Sequence, residues 1–137
     1  MEKRNFFITT SKKSIREFIE SIRENAGKYN FGVRQVFDMR EEYRNHGIDT
    51  DDNFKLYQII VCNFKRSYKS MRKNIERAAV LLQPKQIIVF SKGSQTTINY
   101  LPFTGEFIKK ALPEDKEFAE SLSESCQKII KLIEASK

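Results

Sequence analysis

Two short apolar segments that are close together in the sequence place the strongest constraint on the fold. Lys85–Phe90 and Thr96–Leu101 both have the composition of β-strands. Between them, Ser91-Lys92-Gly93-Ser94 includes the glycine that a tight hairpin turn favours. Strands joined by so short a connection pair antiparallel, so the chain is expected to contain an antiparallel sheet.

Three earlier segments are also predicted to be strands: Arg4–Thr10, Phe31–Met39 and Leu56–Cys62. The last is an almost unbroken apolar run, which indicates a strand covered on both faces. Alternation within the second segment places its apolar side chains on one face, namely Phe31, Val33, Phe37 and Met39.

Helical periodicity fills most of the remaining sequence. A first helix begins at Ser11 or at Ser14, where Glu17 would complete a capping box, and ends at Gly27. A short polar helix is predicted over Arg40–His46. Phe64–Leu82 has helical character with a possible break near Asn74, and its apolar stripe consists of Tyr68, Met71, Ile75 and Ala79.

Two more helices are predicted near the C-terminus. Phe107, Ile108 and Leu112 mark a short one, and a long amphipathic helix starts around Pro113 and runs to the end of the chain. Strands and helices thus alternate around a hairpin. The chain of 137 residues is predicted to be one α+β domain over 1–137, a two-layer sandwich with helices packed on a four- to five-stranded, mainly antiparallel sheet.

The residue inventory argues against several kinds of chemistry. One histidine, His46, rules out sites that need two imidazoles, and the cysteines Cys62 and Cys126 form no CxxC pair. We therefore predict no metal, no cofactor and no catalytic set. The N-terminal apolar run is too short for a signal peptide, and no segment is long enough to span a membrane, which favours a cytoplasmic protein.

Positive charge is concentrated in one part of the chain. Eight basic residues and a single acid lie between positions 65 and 92, whereas the rest of the chain carries 17 of each sign. Six of the eight fall in the predicted helix: Lys65, Arg66, Lys69, Arg72, Lys73 and Arg77. These six are candidates for binding nucleic acid or an acidic partner. The alternative is a solvated helix face, or one neutralised by acids from elsewhere in the fold. Phe64 and Tyr68 are expected to serve the core and not to stack on bases.

A second candidate site surrounds the end of the strand Leu56–Cys62. Cys62, Asn63 and Tyr68 would line a pocket there, and a thiol near helix N–H groups and cations would be a good nucleophile. The alternative is that Cys62 is a small apolar residue of the sheet. Cys126 lies in the apolar stripe of the last helix and is predicted to belong to the core.

Several short segments occur in the order found in a known family. Thr9-Thr10-Ser11 precedes the first helix and Phe31-Gly32-Val33 opens the second strand. Tyr57-Gln58-Ile59-Ile60-Val61-Cys62-Asn63 and Leu81-Leu82-Gln83-Pro84 follow. With these segments the chain resembles domain-of-unknown-function family 302, a group of small bacterial and archaeal proteins. It departs from the family pattern at Val61, Phe64 and Lys85.

The resemblance implies a compact βα sandwich that forms a homodimer and has no established reaction. It supplies no catalytic residues. Our first functional hypothesis is accordingly a homodimeric domain that acts by binding rather than by catalysis. Nucleic-acid or polyanion binding through the basic 65–92 segment is the second, and a thiol enzyme using Cys62 is the third.

Overall fold

A computed structural model describes residues 6–137, and its centre is a five-stranded antiparallel sheet. The strands lie in the order β1-β5-β4-β3-β2. Their bounds are β1 Phe7–Ser11, β2 Gly32–Asp38, β3 Leu56–Cys62, β4 Lys85–Lys92 and β5 Gln95–Tyr100. The first two residues of the predicted strand Arg4–Thr10 lie outside the described residues.

Within residues 6–137, six α-helices accompany the sheet: α1 Ile15–Asn25, α2 Met39–Asn45, α3 Phe64–Lys73, α4 Ala78–Leu81, α5 Gly105–Ala111 and α6 Phe118–Ser136. Short 3-10 helices occupy Ala26–Tyr29 and Ile75–Arg77. The long helices α1 and α6 pack on each other and cover one face of the sheet. The predicted α+β sandwich is therefore confirmed, and its sheet has five strands.

The core lies between that covered face and the two long helices. Strand alternation points Ile59, Val61, Ile87, Val89 and Ile98 towards the helices, and all five are at most 1% exposed. From the helices, Phe18, Ile22, Ile129 and Ile133 fill the space opposite them and are fully buried. Cys126 belongs to this core, as predicted.

The prediction that β3 is covered on both faces is wrong. Ile59 and Val61 are buried, but Leu56, Ile60 and Cys62, which alternate with them, remain only partly buried. The reason is the two-layer architecture, because α1 and α6 pack on the same side of the sheet. The other side is uncharged along the middle of β3 and β4, and we call it the open sheet face: Leu56, Gln58, Ile60, Gln86, Ile88 and Phe90.

A bulge in β2 overturns the predicted face of that strand. Val33 pairs with Val61 and Val36 pairs with Ile59, so the register shifts between Val33 and Gln35. The extra residue in β2 places Val33 and Val36 on the covered face although they are three positions apart. Simple alternation had instead assigned Phe37 and Met39 to the face of Val33.

Local signals at the chain reversals perform largely as expected. Gly93, with φ +64°, is the first of two turn residues between Lys92 and Gln95, the position that glycine favours in a tight hairpin. Ser14 is the N-cap of α1, and the capping box is complete: Ser14 Oγ accepts from the Glu17 amide and Glu17 Oε1 from the Ser14 amide, each at 3.1 Å. The predicted stop at Gly27 is wrong, because a 3-10 turn continues to Tyr29 and the left-handed residue is Asn30.

The predicted helix Phe64–Leu82 does break at Asn74, whose backbone is extended. The prediction that its apolar stripe faces the core, however, is wrong. Tyr68 and Ile75 are 66% and 73% exposed, and Phe64 is 59% exposed. The buried residues of α3 are the serines Ser67 and Ser70.

The final helix begins five residues later than the predicted start at Pro113. Residues 112–117 form turns, and the Asp115 carboxylate accepts the Phe118 amide at 3.2 Å. Within residues 6–137, no helix has the length and apolar character needed to cross a membrane.

Candidate anion-binding groove

An open groove of about 740 Å³ lies beside α3, between that helix, α6 and the start of β2. Its walls bring together residues that are far apart in the sequence, including Gly32 from β2, Lys65 from α3 and Lys128 from α6. Cys62 and Asn63, two of the three predicted pocket residues, also line it. The two candidate sites that the sequence suggested are thus parts of one groove.

The groove is strongly basic. Lys65, Arg66, Lys69, Lys73 and Arg77 line it from the α3 side, and Lys128 lines it from α6, whereas no carboxylate is among its lining residues in the described chain. Lys128 was not among the predicted site residues, because it lies far from the basic segment in sequence. No local signal in the 65–92 segment could have indicated it.

Acidic residues in or next to α6 form ion pairs with some of these cations. Arg66 Nη2 lies 3.2 Å from Glu124 Oε2 and donates to the Ser121 carbonyl at 2.7 Å. Lys73 Nζ lies 4.0 Å from Glu117 Oε2 in an exposed pair. The exposed Lys73 pair contributes roughly 0–1 kcal/mol, so Lys73 stays available for an anion, whereas Arg66 is held to α6 by Ser121 and Glu124.

Arg77 has a different role from the one predicted. It is 5% exposed, and its guanidinium forms a bidentate pair with Asp115, with Nε–Oδ2 at 2.6 Å and Nη2–Oδ1 at 2.8 Å. Nη1 also donates to Ser70 Oγ at 3.0 Å, and Cζ lies 5.0 Å from the centre of the Phe118 ring. The Arg77 hydrogen bonds hold the pKa of the Asp115 carboxyl well below its usual range. Arg77 therefore ties α3 to the start of α6, and its charge is already satisfied.

The remaining cations of α3 cluster around an exposed aromatic ring. Lys65 lies three positions before Tyr68 and Arg72 four after it, and Lys69 is within one turn of both cations, so the four side chains are neighbours on the helix surface. Lys65, Lys69 and Arg72 are exposed and form no ion pair among residues 6–137. We call Lys65, Tyr68, Lys69 and Arg72 the basic face of α3.

Tyr68 does not enter the groove as predicted. It is two residues from Arg66, which corresponds to about 200° around the helix, so it lies on nearly the opposite side of α3. Phe64, at the N-terminal end of the helix, reaches the groove instead. An ideal Cβ built on Gly32 would lie 3.6 Å from the Phe64 ring, so the ring rests beside the glycine backbone.

The last two cations of the basic segment do not join the exposed surface of α3. Lys85 lies beneath that helix, where it lines a small cavity with Arg66, Ser67 and Ser70. Lys85 begins β4 on the helix-facing side of the sheet, where burial lowers the pKa of its ammonium group. Lys92 ends the same strand, about 24 Å further along it at a rise of about 3.4 Å per residue. The 65–92 segment is therefore not one continuous basic surface.

Cys62 and Asn63 occupy positions set by the sheet and by α3. Asn63 is the N-cap of α3, with its Oδ1 accepting the Arg66 amide at 3.1 Å, and it is 7% exposed. Cys62 is partly buried and alternates with Val61, which places it on the side of the sheet away from the core. His46 follows α2 at the other end of the sheet, with its Nδ1 2.8 Å from the Glu42 carbonyl, so it offers Cys62 no base.

Comparison with known proteins identifies the family. The sequence model described as "Domain of unknown function DUF302" matches residues 7–136, almost the whole chain. The chain belongs to the DUF302 family. This confirms the resemblance carried by the order of the short segments from Thr9-Thr10-Ser11 to Leu81-Leu82-Gln83-Pro84.

The DUF302 fold is shared with a solved structure. The crystal structure of an uncharacterized conserved protein DUF302 from Bacillus stearothermophilus superposes with a TM-score of 0.79 at 16% sequence identity. The match covers 98% of this chain and 100% of that chain. At this identity the similarity establishes the fold alone. The curated proteins provide no match to this chain.

Proposed function

We propose that this DUF302 protein acts by binding single-stranded nucleic acid on the basic face of α3, with phosphates entering the adjacent groove. The observation that carries the proposal is the arrangement of Lys65, Lys69 and Arg72 around the exposed Tyr68. Cations that follow a phosphate backbone, next to aromatic rings on which bases stack, are the combination that sequence-independent single-strand binders use.

The cost of leaving these residues exposed supports the proposal. Like charges at helical i,i+4 spacing, such as Lys65 and Lys69, destabilise a helix by a few tenths of a kcal/mol per pair. An exposed Tyr68 gives up the apolar burial available in the core. A bound polyanion would offset the repulsion, and a stacked base would cover the ring.

The groove extends the binding surface beyond α3. Lys73 and Lys128 line it, and the only ion pair that Lys73 forms among residues 6–137 is an exposed one with Glu117. Its volume of about 740 Å³ is within the range of sites that hold small ligands, so it has room for one or two nucleotides' phosphates and sugars.

Fluorescence anisotropy with a labelled single strand of about 15 nucleotides tests the proposal. Replacing two cations in Lys65→Gln/Lys69→Gln should reduce the steepness of the log affinity against log salt plot by about 1.4, since each phosphate contact on a single strand contributes roughly 0.7. The matched control Arg23→Gln/Lys109→Gln removes the same charge from exposed positions on α1 and α5 and should leave the slope unchanged.

Tyr68→Ala separates base stacking from charge. Loss of one stacked base should weaken binding by about 5- to 150-fold, corresponding to roughly 1–3 kcal/mol, without altering the salt slope. Equal binding of polyglutamate, or a Tyr68→Ala variant that binds as tightly as the wild type, would instead favour an acidic protein partner and contradict the proposal. An equal loss of affinity or salt slope in the control Arg23→Gln/Lys109→Gln would also contradict the proposal.

We infer separately that the predicted homodimer forms through the open sheet face. The observation that favours this surface is its lack of charged residues. In a chain with a net charge of +7, the centre of this face is uncharged, so two copies can meet there without repulsion. Light scattering should report a dimer for the wild type and a monomer for Ile60→Lys. Ile75→Lys, at an exposed position just after α3, should stay dimeric, and a monomeric Ile75→Lys would move the interface to the C-terminal end of α3.

A further inference from the structure

A second polar cavity lies at the opposite end of the sheet from the groove. It has a volume of about 330 Å³ and lies between the start of α1, the junctions of β2 and β3, and the β4–β5 hairpin. Asp38 and Tyr57, which line it, are at the far ends of their strands from Gly32 and Cys62, which line the groove. The two sites are therefore separated by the length of the sheet.

Three cations from distant parts of the sequence meet at this cavity: Arg16 from α1, Arg40 from α2 and Lys55 from the segment before β3. Arg16 and Lys55 are exposed and form no ion pair within the described part of the chain. Arg40 reaches Asp52 at 3.4 Å, but the Asp52 side chain is fully exposed, so this pair neutralises little of the charge.

Arg40 also carries an unsatisfied donor. Its Nε is buried and has no hydrogen-bond partner among residues 6–137. A buried donor without a partner destabilises the fold, and such a group calls for a specific explanation, of which a bound ion is one. The Nε and Nη edge of a guanidinium can meet two oxygens of one anion, which is the geometry that arginine prefers.

Neutral donors complement these charges. Ser14 Oγ accepts the Glu17 amide at 3.1 Å, which leaves its hydroxyl hydrogen free to donate to a ligand. Tyr57 lines the same cavity, where burial, then the charge of Asp38 and a hydrogen bond to that carboxylate, raise the pKa of its phenol, so its hydrogen is directed at Asp38. Asp38 is the one carboxylate among the described lining residues, and its Oδ1 already accepts the Arg40 amide at 3.0 Å.

We propose that this cavity binds the phosphate group of a small phosphoester. Among the lining residues three cations face one carboxylate, which leaves an excess of positive charge, and the donors of Arg16, Arg40 and Ser14 suit an acceptor with several oxygens. The volume of about 330 Å³ is at the lower end of small-molecule sites, which fits a compact ligand and not a polymer. The site is independent of nucleic-acid binding at α3.

Site-resolved NMR titration of the ¹⁵N-labelled chain tests this proposal, with glycerol 3-phosphate and inorganic phosphate as probes. The protein used is Lys65→Gln/Lys69→Gln, so that weak phosphate binding at α3 is reduced. We expect saturable shifts of the backbone amides at residues 14–16, 40, 55 and 94–96. In the background of that variant, Arg16→Gln/Lys55→Gln should weaken binding by about tenfold or more, the effect of losing a charge-assisted hydrogen bond.

The substituted side chains are exposed, so the fold should be retained, and an unchanged amide spectrum elsewhere verifies this. Arg23→Gln/Lys109→Gln, introduced in the same background, is the charge-matched control and should bind the probe like its parent. Three outcomes would overturn the proposal: shifts confined to residues 64–73, equal weakening in the control, or acetate binding at residues 14–16 and 55 as tightly as phosphate. The last result would assign a carboxylate ligand to the cavity.

Discussion

Helices α3 and α6 lie side by side, yet they bury opposite kinds of residue. The buried face of α6 includes Phe118, Leu122, Ile129 and Ile133, which are at most 2% exposed. The buried positions of α3 are Ser67 and Ser70, whereas Phe64 and Tyr68 are 59% and 66% exposed. Both helices are amphipathic, so a strong apolar stripe alone does not reveal whether that stripe faces the core.

Polar contacts explain how α3 is held without an apolar face. Arg66 bonds to Ser121 and Glu124 of α6, and Arg77, just after α3, binds Asp115 in front of α6. Asn74 Nδ2 donates to the same Asp115 carboxylate at 2.9 Å. Because ions and amides make the junction, the apolar residues of α3 remain free for another partner.

The largest expected effect tests this polar junction. Arg77→Met would leave the Asp115 carboxylate buried and unpaired, which should lower the free energy of unfolding by about 3–5 kcal/mol. Lys73→Met removes the exposed ion pair with Glu117 and should change the free energy of unfolding by at most about 1 kcal/mol. Urea unfolding followed by circular dichroism measures both. Similar values for the two variants would mean that Arg77 does not anchor α3.

The second prediction compares the same substitution in the two regions. Ile129→Ala in α6 removes a fully buried side chain and should cost about 2–5 kcal/mol of unfolding free energy. Ile75→Ala, at a position that is 73% exposed just after α3, should cost no more than about 0.5 kcal/mol. The same denaturation assay applies. A large loss at Ile75 in the monomer would show that the apolar residues after α3 are covered.

The smallest effect concerns pH. The native pKa of Asp115 is held below its usual range by hydrogen bonds from Arg77, so its stabilising contribution is complete above the unfolded pKa near 4. It is lost as the pH falls further, through the native pKa. The difference in unfolding free energy between the wild type and Asp115→Asn should therefore narrow progressively below about pH 4. If the difference in unfolding free energy between the wild type and Asp115→Asn stayed constant from pH 6 down to the lowest pH at which the protein is folded, this prediction would be contradicted.

Much of the fold could be predicted because its signals are local. The Gly93 turn, the β3 segment and the break at Asn74 each depend on a few neighbouring residues. The bulge in β2 was missed because only the pairing of Val33 with Val61 and Gln35 with Ile60 reveals it. The register depends on how two strands pair, so it cannot be read from the sequence of either strand alone.

The candidate sites, too, could be predicted from the sequence only where they depend on neighbouring residues. The sequence located the cations of α3 and the end of β3, but it could not show that Arg77 is committed to Asp115, 38 residues away, or that Lys128 joins the groove. The cavity of Arg16, Arg40 and Lys55 was missed entirely, since its cations come from three separate segments.

Periodicity, capping and turn residues act over a few positions, so most elements, their order and the concentration of positive charge could be read from the amino-acid sequence. Which face of α3 meets solvent, which cations are neutralised and which distant side chains share a cavity became known only from the folded chain. Those outcomes depend on contacts between segments far apart in the chain, where burial and charge pairing are set by packing.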